Sequence, residues 1–157
     1  MHMQKITSEE LTRVIMENMS GMYRLAFSIV GNDADAQDAV GDTVVKAYEK
    51  IQTLRKKESV QSWLMQILVN NSRNIVKKRR WKLLENEMED LEDSGAFKSD
   101  EMWPLVMELP EEFRIVVALY YYQNFSVKEI GKMLKISEGT VKSRLSRGRE
   151  KLSKLLE

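Results

Sequence analysis

The run of residues 126–152 constrains the fold of this chain more than any other stretch. Ser126 and Glu129 have the spacing of a capping box, which predicts that a short helix begins at Ser126. Residues 135–137 should end this helix, and Ser137 is suited to cap a second one. The pattern therefore predicts two helices joined by a tight turn, with Gly131 leaving room where the second helix passes closely.

The second of these helices has one apolar stripe, formed by Val141, Leu145 and Leu152, and is otherwise rich in Arg and Lys. Such a helix suits the major groove of DNA, because the stripe packs on the protein while the basic side chains meet phosphates and bases. A solvated basic helix in a bundle is the alternative. The order of small residue, turn, apolar Val and basic face favours a helix-turn-helix.

The net charge of +1 conceals three blocks of different sign. Residues 1–82 have 14 basic and 9 acidic side chains, residues 83–112 have 1 and 11, and residues 113–157 have 10 and 4. Two basic blocks that flank an acidic connector are the arrangement expected of two nucleic-acid-binding domains on a linker.

The composition argues against most enzyme classes. The chain has no cysteine and one histidine, His2, within a Met-His-Met start that resembles a cloning remnant. These counts exclude disulfides, thiolate or histidine metal clusters and a cysteine nucleophile, and they fit a reducing cytoplasm. No apolar run approaches the roughly 20 residues of a membrane span. We expect a cytoplasmic protein that is not an enzyme and needs no metal, cofactor or small-molecule substrate.

Helical periodicity accounts for the N-terminal block. Capping-box spacing at Thr7 predicts a first helix that ends at Gly31. We expect Asp33 to cap a second helix that reaches about residue 51, and a third helix to cover residues 59–81.

The third helix should bury one side and present polar residues on the other, after a basic loop at 54–58. Asn, Gln and Arg hydrogen-bond to base edges, while Lys and Arg neutralise phosphates. For each residue a solvated face is the alternative, and Trp63 suits core packing as well as base stacking. The polar side consists of Gln66, Asn70, Asn71, Arg73, Asn74, Lys77 and Lys78.

Residues 85–99 are acidic and are interpreted as a linker that orders on a partner. A second helical block follows, in which Ser99 or Asp100 is a candidate N-cap and Pro110 suits a first helical turn. The tyrosines at 120–122 are better suited to core and rim packing than to base stacking.

Taken in order, these segments resemble the sigma-70 family of bacterial initiation factors, specifically the small ECF (extracytoplasmic function, group 4) type. The residues that carry the resemblance are 23–26 and 35–40 in the first block, 62–80 in the third helix, 109–114, and the helix-turn-helix at 126–152. The resemblance covers nearly the whole chain. It implies an all-α fold of two small helical domains. These are a sigma-2 domain at 1–82, a three-helix-type bundle, and a sigma-4 helix-turn-helix domain at 100–157, joined by an acidic linker at 83–99.

The resemblance also implies where polymerase binds. In the family, the helix after the acidic motif docks on a coiled coil of the polymerase β′ subunit. The sequence departs from the family pattern at one place, where Gly41 and Asp42 replace the usual Gln-Glu. A glycine within a helix costs about 1 kcal/mol of stability relative to Ala. The residues expected to be exposed for this contact are Asp35, Asp38, Asp42 and Lys46.

Promoter contacts are implied at two places. The third helix and its preceding loop would meet the −10 element and capture an unstacked base, while the last helix would read the −35 element. The −10 candidates are Arg55, Lys56, Lys57, Trp63, Asn70, Arg73, Asn74, Lys77 and Lys78. The −35 candidates are Thr140, Lys142, Ser143, Arg144, Arg147 and Arg149.

The implied partners are the RNA polymerase core (β′ and β subunits), promoter DNA and an anti-sigma factor, expected to be membrane-associated, that could hold the protein at the membrane. A stand-alone dimeric helix-turn-helix regulator is the main alternative, although the sequence has no heptad repeat for a dimer surface. Metal chemistry based only on Asp35, Asp38 and Asp42 is a third reading. Metal-dependent nuclease activity would distinguish it, and we expect that activity to be absent.

Overall fold

The structure, a computed structural model, describes residues 5–85 and 102–157, and in the first range it describes side chains as far as residue 82. All regular secondary structure within those residues is helical, as the sequence predicts. None of the described helices combines the length and hydropathy needed to cross a membrane. The α-helices are α1 (Ser8–Val30), α2 (Asp33–Lys50), α3 (Val60–Glu85), α4 (Trp103–Met107), α5 (Glu111–Val117), α6 (Val127–Leu134) and α7 (Glu138–Leu155).

The start and end of α1 are the predicted ones. Thr7 and Glu10 form a complete capping box, and Gly31 ends the helix in the left-handed conformation at φ 82°. The predicted cap of α2 is wrong by one residue. Asn32, not Asp33, accepts the backbone N–H of Asp35 at 2.9 Å. Both side chains are good N-caps, so local preference could not separate them.

The limits of α3 differ from the predicted ones. A 3₁₀ turn at Lys57–Ser59 precedes the helix, which therefore begins at Val60, and it continues to Glu85 rather than ending near residue 81. The helix thus extends three residues into the acidic linker predicted at 83–99.

Two predictions about the start of the second block have different outcomes. Pro110 occupies the N-cap position of α5 with an extended backbone, rather than the first turn. Ser99 and Asp100, the candidate caps, lie outside the described residues, and Met102 occupies the cap position of α4.

The predicted helix-turn-helix is confirmed by α6 and α7. Ser126 forms a capping box with Glu129, Lys135 ends α6 in the left-handed conformation, and the side chain of Ser137 caps α7. A Cβ on Gly131 would lie 2.9 Å from the backbone oxygen of Ile136. The tight turn itself, more than α7, therefore requires this glycine.

The helices form a first group, α1–α3, and a second group, α4–α7, which pack against each other. Helix α1 contacts α2 and α3 on one side and α5 on the other, and α3 also contacts α6. The buried apolar side chains of both groups belong to one connected cluster. Residues 25–30 of α1 are consecutively buried, because both groups cover this end of the helix.

We expect Gly41→Ala to raise the free energy of unfolding by about 1 kcal/mol, because Ala favours a helix interior. Nothing lies within 4 Å of the Cβ that Gly41 would gain. The measurement is chemical denaturation followed by circular dichroism. Gly148→Ala is the matched comparison and should lower the free energy of unfolding, since its Cβ would lie 2.9 Å from Cγ2 of Val117. Equal effects of the two substitutions would contradict this packing argument.

Candidate nucleic-acid interface

One exposed stripe follows α3 for most of its length. Helical geometry places Trp63, Gln66, Asn70, Asn74 and Lys77 on one side of the helix, opposite the buried side. Trp63 and Gln66 are half-buried, whereas the other three are exposed. The other polar candidates, Arg73 and Lys78, are exposed on the flanks of the stripe.

A cavity of about 320 Å³ opens at the N-terminal end of this stripe. It combines one aromatic wall, hydroxyl and amide groups, and basic residues at the loop, so its lining can surround a flat polar ring and hydrogen-bond to its edge. Trp63 also packs on the apolar core, so the two sequence-based roles for this residue are compatible. The lining residues are Thr53, Leu54, Arg55, Lys56, Ser59, Ser62, Trp63 and Gln66.

Lys57 differs from the neighbouring Arg55 and Lys56, because its ammonium group pairs with the Glu10 carboxylate. Lys57 and the Thr7 backbone N–H together lower the pKa of Glu10. The pair links the basic loop to the first turn of α1. Arg55 and Lys56 are exposed and line the cavity, so they are better placed than Lys57 for an incoming polyanion.

The −35 candidates on α7 fall into two sets. Thr140, Ser143, Arg144 and Arg147 lie at i, i+3, i+4 and i+7 and share one side of the helix. Lys142 is exposed outside this side. The hydroxyl group of Thr140 is bonded to that of Ser137, which caps the helix N-terminus. Of these four residues, Ser143 and Arg147 are exposed, whereas Thr140 and Arg144 are half-buried.

Arg149 is placed differently. Its guanidinium donates to the Tyr121 hydroxyl at 2.9 Å. It lies beside a groove of about 660 Å³ between α1 and the second group, whose lining also includes Arg24, Tyr122, Leu152 and Leu156. The sequence could not show this, because the position of Tyr121 depends on a π-helical turn at Ala118–Tyr122.

Of the four residues expected to be exposed on α2, two are exposed and two are half-buried. Asp38 and Asp42 are exposed, but the expectation is wrong for Asp35 and Lys46, which are half-buried. Asp35 pairs with Arg79 of α3 at 3.0 Å. Lys46 donates to the Asn71 side-chain oxygen at 2.9 Å. Both therefore contribute to the packing of α2 on α3.

Asn71 was predicted on the polar face of α3 and is instead buried. Its amide donates to the Thr43 hydroxyl at 3.0 Å, and the Thr43 hydroxyl donates to the Ala39 carbonyl at 2.7 Å. A buried amide needs such partners. Sequence reasoning missed Trp81, which is 61% exposed and lies on the same side of α3 as Asn70 and Lys77. Its spacing from Asn70 and Lys77 could have placed it on the polar side of α3 from the sequence alone.

Comparison with known proteins gives two family matches that follow the chain order. The model of sigma-70 region 2 matches residues 14–82, and that of sigma-70 region 4 matches residues 100–152. Together these matches include every candidate contact residue named above.

Individual relatives agree with the family matches. The chain is 28% identical to RNA polymerase sigma factor SigV of Bacillus subtilis, over 94% of this chain and 91% of that protein. It is 30% identical to the ECF RNA polymerase sigma-E factor of Salmonella typhimurium, over 74% and 71% of the two chains. A solved structure of the sigma factor RpoE from Bartonella quintana, in complex with the anti-sigma factor NepR, is similar in fold with a TM-score of 0.79. It is 22% identical and the match covers 94% of this chain and 97% of that one.

We expect Lys57→Met to raise the pKa of Glu10 towards its ordinary value, since Lys57 is the main cause of the lowered pKa. NMR titration of the Glu10 carboxyl measures this. A lowered folded-state pKa stabilises the fold above the unfolded pKa, and that contribution is lost as pH falls through the folded value. Acidification through the lowered pKa of Glu10 should therefore release Lys57. Lys56→Met is the matched control, and an equal rise in that variant would contradict the pairing.

Proposed function

The chain belongs to the ECF group of the sigma-70 family, and from that premise we propose how its residues direct RNA polymerase core enzyme to promoters. As a sigma factor it acts in transcription initiation under anti-sigma control. The proposal assigns polymerase and −10 contacts to residues 1–82 and −35 contacts to residues 100–157, with the acidic connector at 83–99 between them. The cellular role proposed is a response to stress or to an envelope signal.

One observation carries the assignment. Two separate surfaces, the stripe of α3 and the side of α7 that contains Ser143 and Arg147, combine polar and basic residues that are exposed or half-buried. Each surface lies within a different sigma-70 region match. A protein that reads two promoter elements needs two such surfaces. A stand-alone dimeric regulator needs only the helix-turn-helix and a symmetric dimer surface.

For the polymerase core, the contact proposed is the exposed side of α2. Asp38 and Asp42 are both exposed there and would meet a basic surface of the polymerase β′ subunit. Opposite charges give steering and register more than affinity. Asp35 and Lys46, which bond within the first group, would support this side of α2 by fixing it on α3.

For the −10 element, we propose that the cavity beside Trp63 receives an unstacked base. Unstacking costs a few kcal/mol, and stacking on an aromatic ring with hydrogen bonds to the base edge offsets that cost. Arg55 and Lys56 would contact the adjacent phosphates. Asn70, Arg73, Asn74, Lys77 and Lys78 would continue the interface along α3, and Trp81 extends it.

For the −35 element, α7 would enter the major groove. Ser143, Arg144 and Arg147 are placed to reach base edges, while Thr140 and the helix N-terminus would approach a phosphate. Lys142 would contact the backbone. Arg149 donates to the Tyr121 hydroxyl. It would contact the DNA backbone only after it releases that hydroxyl.

An anti-sigma factor is the remaining partner. We propose that the groove beside Arg24 and Arg149 receives an amphipathic helix of that protein, because an apolar floor with two arginines at its edge suits apolar residues flanked by acidic ones. The exposed Met16, Met19 and Tyr120 are further candidates for contacts with this partner. If that partner is membrane-associated, the otherwise cytoplasmic sigma factor would be held at the membrane until release.

We propose that the protein has no catalytic activity of its own. Among the described residues, no cluster of three or more His, Cys, Asp or Glu side chains could hold a metal ion. The nuclease reading built on Asp35, Asp38 and Asp42 requires such a cluster.

The function is tested by run-off transcription with purified core polymerase on a pool of promoter fragments from the source genome. We expect discrete start sites only when this protein is present, preceded by shared −10 and −35 sequences. If the protein neither binds core polymerase nor initiates, but alone protects palindromic DNA, the stand-alone regulator replaces this proposal.

Arg144→Ala should reduce transcription from −35-dependent promoters by about tenfold, since loss of one base contact costs on the order of 1–3 kcal/mol. Run-off product is measured on the promoters found above. Lys154→Ala on the same helix is the control, because it also removes one positive charge; Lys154 is exposed, whereas Arg144 is half-buried. If the two variants lower transcription equally, general electrostatics would explain the effect and Arg144 would be removed from the base contacts.

A further inference from the structure

We propose that Glu10 of α1 is a positioning residue for capture of the −10 base, and that it acts through Lys57 by fixing the loop that forms one wall of the cavity beside Trp63. Lys57 is a sequence-based candidate for direct DNA contact, and the proposal gives it this supporting role instead. The inference rests on the proposed function, because it requires that this cavity receives an unstacked promoter base.

The cavity beside Trp63 has one wall from a helix and one from a loop. Ser62, Trp63 and Gln66 belong to α3, whereas Arg55 and Lys56 belong to the preceding loop. A helix keeps its side chains in fixed relative positions through its own backbone hydrogen bonds, but a loop depends on contacts with the rest of the protein. The distance between the two walls therefore depends on the contacts that hold the loop.

The loop is anchored at three places that are three residues apart in sequence. Its two ends, Leu54 and Val60, are buried in the apolar core. Midway between them, the ammonium group of Lys57 pairs with the Glu10 carboxylate. The ion pair thus holds the middle of the loop on the first turn of α1, while the buried ends hold it on the core.

Lys57 restrains the backbone of the loop as well as its own side chain. Its carbonyl accepts the Val60 backbone N–H, and the Lys56 carbonyl accepts the Ser59 backbone N–H at 3.0 Å. These two bonds close the 3₁₀ turn that leads into α3. Release of Lys57 from Glu10 would remove a restraint from this turn, and with it from Lys56 and Ser59, which both line the cavity.

Glu10 is itself held in place. Its Oε1 atom accepts the Thr7 backbone N–H at 3.3 Å as part of the capping box of α1, and its Oε2 atom pairs with Lys57. The carboxylate is therefore presented to Lys57 in a fixed direction. The two roles can be separated, because Gln can replace Glu in a capping box. With its oxygen on Thr7, the Gln amide would turn a second donor towards the Lys57 ammonium group and could not pair with it.

The charge of Lys57 allows two interpretations that predict opposite results. If Lys57 contacts a phosphate directly, removal of the Glu10 charge frees it and strengthens DNA binding. If Lys57 positions the loop, removal of either partner widens the range of loop positions and weakens the choice between bases. The geometry favours positioning, because the ammonium group is occupied by a carboxylate, whereas Arg55 and Lys56 line the cavity.

The test uses holoenzyme reconstituted from core polymerase and the full-length protein, on a promoter identified by run-off transcription. Each of the four bases is placed in turn on the non-template strand, at the −10 position where the wild-type protein discriminates most strongly. An abasic site lies opposite it in the template strand, so that all four bases are unpaired. The ratio of the initial transcription rate with the best base to the mean rate with the others measures base choice. A change in the net charge of the protein affects all four templates equally and cancels from this ratio.

Glu10→Gln should lower this ratio about two- to fivefold, because a partly exposed ion pair is lost while the capping box is kept. Lys57→Met should lower it by a similar factor. The double variant should lower it no further, since both substitutions remove the same contact. Lys57→Arg keeps a cation beside Glu10 and should retain the wild-type ratio.

Glu9→Gln is the matched control. Glu9 is exposed in the same first turn of α1, so this substitution makes the same change in charge near the helix N-terminus and leaves the pair of Glu10 and Lys57 intact. It should not change the −10 ratio. A second control lies within each variant, because base choice at the −35 element depends on α7 and should keep its wild-type value. A folding defect would lower both ratios.

The outcomes distinguish the positioning role from the proposed function. Wild-type −10 ratios in both Glu10→Gln and Lys57→Met would overturn the positioning role alone, as would a joint fall of the −10 and −35 ratios. It is also overturned if, at an unchanged −10 ratio, Glu10→Gln raises transcription from all four templates and Lys57→Met lowers it, because Lys57 would then be a direct phosphate contact. If the wild-type protein does not initiate with core polymerase, the proposed function fails and the positioning role fails with it.

Discussion

The structure depends on the burial of one end of α1. Residues 25–30 are buried on every side of the helix, because α2 and α3 cover one side and the second helical group covers the other. A helix in a single three-helix bundle needs one apolar stripe, whereas a helix shared by two groups must be apolar all round. At this end of α1 the two groups share a single core.

This shared burial would leave backbone carbonyls of α1 without hydrogen bonds, and the second group supplies a donor to one of them. The last turn of α1 has orphan carbonyls, and burial removes the water that would otherwise hydrogen-bond to them. Gly31 provides one N–H to the Phe27 carbonyl, and Arg114 provides a donor to the Ser28 carbonyl. The guanidinium thus satisfies a helix end in one group from a helix in the other.

The burial of α1 also leaves the candidate DNA-reading surfaces free. The helices α3 and α7 each use one side for packing and leave the opposite side exposed. Each surface is therefore already formed while the two helical groups are packed together.

The sequence by itself determined the local elements of this protein. The helices, the capping boxes at Thr7 and Ser126 and the left-handed Gly31 depend on contacts a few residues apart, and the helical period decides which residues share a side. For the same reason the basic side of α7 and most of the polar side of α3 could be predicted. Only the tertiary structure determined the burial and pairing of side chains whose partners are distant in sequence. Asn71 is buried because Thr43 and Lys46 meet it, Asp35 and Lys57 are paired with Arg79 and Glu10, and Arg114 reaches across 86 residues to α1. No periodicity encodes these pairs, because each depends on how separate helices pack.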